Sequence, residues 1–63
     1  MRVKAPPAAR FAVVTQPGTL FERVDSYHQT MLTATAAAQE LREDGEAADA
    51  MRITPSGELS TEF

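Results

Sequence analysis

Residues 19–45, TLFERVDSYHQTMLTATAAAQELREDG, form the longest patterned run in the chain, and how they fold decides the architecture. Leu20, Val24, Tyr27, Met31, Ala34, Ala38 and Leu41 follow at spacings alternating four and three, the stripe of one helix face, with Phe21 and Ala37 widening it. Thr19 and Glu22 spell the T-x-x-E capping box, in which hydroxyl and carboxylate satisfy the first free N–H groups of a helix. Gly45 suits the left-handed position just past a helix end, which stops the helix near Glu43 or Asp44. The spacing therefore predicts a long helix over about 19–44, roughly 37 Å at 1.5 Å per residue.

Before this run, KAPPAA is a breaker, because each proline fixes its own φ and disfavours helix in the residue before it. RFAVVT, about 10–15, reads as a strand with both faces partly covered, and QPG closes it with turn chemistry. After the run, MRITPSGELSTEF, about 51–63, alternates apolar and polar residues on either side of TPSG and reads as a hairpin with a type I turn and a bulge. The expected fold class is α+β: a small single domain, one long central amphipathic helix packed on a short β-sheet, in β-α-β-β order. Residues 1–9 are expected as a flexible basic Pro/Ala-rich arm and residues 10–63 as the domain.

Such a helix is too long for such a sheet. A strand of five or six residues spans only about 17–20 Å, so about half of the helix needs another surface. Its first half carries the large side chains Leu20, Phe21, Val24, Tyr27, Met31 and Leu32, expected to pack on the protein's own sheet. The second half is small and expected to meet a partner, so Thr30, Ala34, Ala37, Ala38 and Leu41 are the candidate partner-binding residues. Ala34 and Ala38 are expected to be exposed in an isolated chain and buried in a complex.

Composition supports dependence on a partner. A chain of 63 residues removes only about 60% of its unfolded surface from water on folding. Of its 27 hydrophobic residues 11 are alanine, which leaves a thin core, and without cysteine no disulfide can staple it. The net charge of −3 and only six basic residues argue against nucleic acid as a partner. Lys4, Arg10 and Arg2 stand in the first 21 residues without an acid, whereas all nine acids follow, so a basic arm precedes an acidic body. No apolar run suits a secretory signal or a membrane span, and the paired prolines oppose the amphipathic helix of a transit segment, so a cytoplasmic protein without membrane contact is expected.

Chemistry-bearing motifs are sparse. On a helix, Asp25 would face His28 at i+3, the bland reading being a solvated histidine, and Ser26 would be turned away from His28, so no catalytic triad is expected there. Placing Gly45 at the sixth position of a calcium loop puts Arg42 at the third and Met51 at the twelfth, which excludes an EF-hand. Glu40, Glu43, Asp44, Glu46 and Asp49 read as a solvated acidic face, with contact to a basic partner as the sharper alternative. No phosphate-binding glycine loop can be written, and neither metal nor cofactor is expected. The ending STEF has the form captured by PDZ-type grooves, but packing of Phe63 under the helix is favoured because the core needs the ring.

The expected function is a small non-enzymatic protein–protein interaction module, such as an accessory subunit, adaptor, inhibitor or assembly component. It would act through the Ala-rich helix face and a sheet edge, as a homo-oligomer or a subunit of a larger assembly. The alternative is a precursor peptide, with a helical recognition region and a Ser/Thr/Glu-containing tail that is modified.

Overall fold

The computed structural model describes residues 3–62. The elements run β1 (Phe11–Thr15), β2 (Arg23–His28), α1 (Met31–Glu43), β3 (Ala48–Ile53) and β4 (Leu59–Ser60). The strands form one antiparallel sheet in the order β2-β1-β3-β4, with the helix packed on it. The α+β class and the single helix on a short sheet thus stand as expected. The helix is shorter than expected, and its supposed first half is a loop and a strand.

This difference has a local cause. Along β1 and β2, Ala12 pairs with Tyr27 and Val13 with Ser26, but Val14 pairs with Val24, so Asp25 is an extra, bulged residue. The bulge returns Val24 and Tyr27 to the same sheet face although they lie three apart in sequence. A period-2 strand interrupted by one residue thereby imitates the 4/3 spacing of a helix. Valine and tyrosine also favour the pleated conformation intrinsically.

Thr19 and Glu22 serve a turn rather than a cap. Glu22 Oε2 accepts from the Gly18 N–H at 2.9 Å, four residues back. The helix is capped instead by Thr30, in extended conformation, whose Oγ1 accepts from the Thr33 N–H at 3.3 Å. Its end is where the glycine placed it. Gly45 has φ +88°, its N–H donates to the Arg42 carbonyl, and the Glu46 N–H donates to the Leu41 carbonyl at 2.9 Å, the paired bonds of a Schellman motif. Thirteen helical residues span about 20 Å, which matches a strand of six, so the length mismatch disappears.

β1 is central, and Ala12, Val13, Val14 and Thr15 have no exposed surface. Thr15 keeps its buried hydroxyl satisfied by donating to the Arg23 carbonyl at 3.4 Å. Val13 meets Ala34, Ala38 and Ala48 in the core, with Phe11, Ala37, Leu41 and Ala50 partly buried around them. A C-terminal hairpin forms about TPSG as expected, with Ile53 opposite Leu59 and Arg52 opposite Ser60 and with Gly57 at φ +86° donating to the Thr54 carbonyl at 2.9 Å, but its second strand is Leu59–Ser60 alone, and Thr61 and Glu62 do not continue it. β3, however, begins at Ala48, three residues earlier than expected. The reading of Phe63 as a buried ring or a captured terminus lies outside the described residues.

Candidate interaction surfaces

The partition of large and small residues differs from the one expected, above all on the small side. Ala34 and Ala38 are fully buried in the isolated chain, and Ala37 and Leu41 pack against the same cluster, so the small face of the helix is its core face. Small side chains let the short helix lie close on a narrow sheet, where larger ones would lift it. Thr30 is the helix cap, engaged with Thr33. The expectation that Ala34 and Ala38 are exposed until a partner arrives is therefore corrected.

Three of the large residues are exposed, Leu20 at 100%, Leu32 at 80% and Phe21 at 78%, whereas Val24, Tyr27 and Met31 are part-buried. Leu20 and Phe21 stand together on the β1–β2 connection, which is not loose. The Gln16 carbonyl accepts from both the Thr19 N–H at 3.2 Å and the Thr19 hydroxyl at 2.7 Å. Thr19 Oγ1 accepts from the Phe21 N–H at 3.1 Å, and the Thr19 carbonyl from the Glu22 N–H at 3.2 Å. Leu20 and Phe21 are thus held in water by a hydrogen-bonded tip.

Strand alternation places Val24, Tyr27, Met51, Ile53 and Leu59 with Ala12 and Val14 on the sheet face away from the helix. Glu22, at the base of the tip, lines a cleft of about 380 Å³ there with Met51, Leu59, Ser60, Thr61 and Glu62. The tip therefore adjoins a sheet face on which Val24, Tyr27, Ile53 and Leu59 are part-exposed, Ala12, Val14 and Met51 are buried, and Asp49, opposite Val14, is exposed. The sheet edges offer less: β2 is bulged at Asp25 and β4 is two residues long, both of which blunt strand addition.

Ser26 and His28 are brought together, against expectation. Residues two apart on a strand share a face, and Ser26 Oγ lies 2.8 Å from His28 Nε2. Asp25, the bulged residue, takes no part in that contact, and among the described residues no partner orients the other ring nitrogen, as a nucleophilic triad requires. Ser26 lines none of the described clefts. The acidic group divides: Asp49 pairs with Arg42, while Glu40, Glu43 and Asp44 are exposed around the helix end. Among the described residues no group of three or more His, Asp or Glu side chains is placed to hold a metal ion, and no helix is long and apolar enough to cross a membrane.

Comparison with known protein families, with curated proteins and with solved structures gave no match. The class that the fold defines is a small α+β domain, one helix on a four-stranded antiparallel sheet.

Proposed function

We propose that the chain is a small non-enzymatic protein–protein interaction module whose contact is the Leu20–Phe21 tip with the part-exposed apolar residues of the adjoining sheet face, and whose partner is a second copy of itself. The observation that carries this reading is the full exposure of Leu20 beside Phe21 on a tip held by backbone and side-chain hydrogen bonds. A fixed apolar pair loses little conformational entropy on docking, which is the physical basis of an interface anchor. A second copy fits because a two-fold axis lets each chain supply a tip and receive one on its sheet face, closing the contact without leaving a free end. It also supplies the apolar burial that a chain with so many alanines lacks. The contact is a face rather than the expected sheet edge, because both edges are blunted.

The folded tail gives the precursor alternative no support. Thr54 Oγ1 accepts from the Glu58 N–H and lies 3.0 Å from Ser56 Oγ, and Ser60 Oγ accepts from the Glu62 N–H, so these hydroxyls are tied into the hairpin.

Sedimentation equilibrium over a concentration series tests the proposal. The wild-type chain should show a reversible dimer, and Leu20→Ser combined with Phe21→Ser should weaken it by tenfold or more, on the order of an interface anchor's worth. The variant's melting curve at low concentration should not move, because both side chains are already in water. A wild-type chain that stays monomeric up to millimolar concentration, or a variant that dimerises equally well, overturns the reading.

A further inference from the structure

The basic arm is fastened to the body at both ends. The Val3 N–H donates to the Gly57 carbonyl at 2.8 Å in the hairpin turn. Seven residues later the Arg10 N–H donates to the His28 carbonyl and the Arg10 carbonyl accepts from the Ile53 N–H, both at 2.9 Å. Between these points Pro6 and Pro7 stiffen the arch and the Ala9 N–H closes a turn onto the Pro6 carbonyl at 3.0 Å. Arch and sheet end border an open cleft of about 760 Å³, within the size range of small-molecule sites.

Charge in this cleft runs opposite to that of the molecule. The chain carries −3, yet Lys4, Arg10 and Arg52 all line the cleft and none of its described lining residues is an acid. Among the described residues the one ion pair is Arg42–Asp49, at the other end of the sheet, and none of these three cations has an ion-pair partner among them. Arg52 commits its Nε to the Glu62 carbonyl at 3.1 Å, which anchors the guanidinium while its terminal nitrogens meet no described acceptor. The acids that follow in sequence, Glu58 and Glu62, are exposed and lie outside the lining, and Asp49, which precedes Arg52, is paired with Arg42. Between the cations the walls are apolar, from Val3, Pro7, Ile53 and Pro55.

We infer that this cleft binds a small organic anion, with a phosphate or carboxylate group held by Lys4, Arg10 and Arg52 and an apolar body against Val3, Pro7, Ile53 and Pro55. Cations gathered at one cleft without an acid among its described lining favour an anion by Coulomb attraction. Two guanidinium groups add planar donor pairs that match the oxygens of either headgroup. The inference does not rest on the self-association proposed above: the cleft lies at the opposite end of the sheet from the tip, and of its named walls Ile53 alone also belongs to the sheet face of that contact.

Phenyl phosphate, benzoate and neutral benzyl alcohol, titrated separately into the full ¹⁵N-labelled chain, test it. Phenyl phosphate or benzoate should give saturable amide shifts confined to residues 3–11 and 52–57, weakening as salt is raised. Benzyl alcohol should give none. Arg10→Gln, whose side chain has no described partner to lose, should weaken binding about tenfold, the worth of one charge-assisted hydrogen bond. Arg52→Gln should do the same, with the wild-type spectrum of the apo chain confirming that the hairpin persists. Absence of saturable shifts, shifts scattered over the surface, equal binding of benzyl alcohol, or unchanged affinity in Arg10→Gln each overturns the assignment.

Discussion

Arg42 in the last helical turn and Asp49 in β3 are joined through Nη2 and Oδ1 at 2.8 Å, while Nε of the same guanidinium donates to the Ala48 carbonyl at 2.8 Å. One planar group thus ties the helix end to both backbone and side chain of the strand. The two halves differ in worth, because the ion pair is half-exposed and screened by water, whereas the bond to the carbonyl is part-buried. Asp49→Asn should cost less than about 0.5 kcal/mol and Arg42→Met about 1 kcal/mol, measured by urea unfolding. Equal losses would assign the stabilisation to the ion pair instead.

Ala38 has no exposed surface and belongs to the cluster of Val13, Ala34 and Ala48. Ala38→Leu should therefore destabilise by about 1–3 kcal/mol through overpacking, and Ala38→Arg should leave the chain unfolded at room temperature. Ala36→Arg, on the exposed side of the same helix, should change stability by less than about 0.5 kcal/mol. Thermal melts followed by circular dichroism separate the three. A folded Ala38→Arg chain would mean that this face does not rest on the sheet.

The helix begins at Thr30 rather than at Thr19, and two substitutions distinguish the starts. Thr30→Ala removes the cap to Thr33 and should cost about 1 kcal/mol with a loss of helical signal on mild heating. Thr19→Ala should leave the helical signal unchanged while loosening the tip, read as faster amide exchange at Phe21. Loss of helix in Thr19→Ala would restore the longer helix.

Gly45 and Gln16 both occupy the left-handed region, at φ +88° and φ +51°. A Cβ on Gly45 would meet nothing within 4 Å, so the cost of Gly45→Ala is that of the backbone conformation alone, about 1 kcal/mol. Gln16→Gly relieves the same penalty but frees the unfolded chain, and should come out within about 0.5 kcal/mol of the wild type. Chemical denaturation gives both values. A cost above 1 kcal/mol for Gln16→Gly would show that its side chain, and not its backbone, holds the tip.

Much of the architecture was legible in local chemistry. FAVVT reads as a strand covered on both faces because its residues are apolar on both sides, and it lies at the centre of the sheet. Gly45 marks the helix end and TPSG the hairpin, since each demands a left-handed residue that glycine supplies without a Cβ clash. RVDSYH was not legible as a strand, because the bulge at Asp25 converts its alternation into a helical spacing, and that bulge exists only where β1 lies alongside. The cleft lined by Lys4, Arg10 and Arg52 was hidden for a different reason. Its cations lie up to 48 positions apart in the chain, and it takes the bonds of Val3 to Gly57 and of Ile53 to Arg10 to bring them to one place.

By itself the sequence determined the α+β class, the helix end, the hairpin and the thinness of the core, because each depends on residues within one turn of each other or on composition alone. Only the tertiary structure decided where the helix starts, which of its faces is buried, and which apolar side chains remain in water. The stripe from Leu20 to Leu41 satisfies two periodicities, and what selects between them is the pairing of Val24 and Tyr27 with β1. That pairing leaves a helix short enough to match the sheet, with alanines as its contact and Leu20 and Phe21 outside it. A small side chain reads from sequence as a place for a partner to approach, and here the partner that approaches is the protein's own sheet.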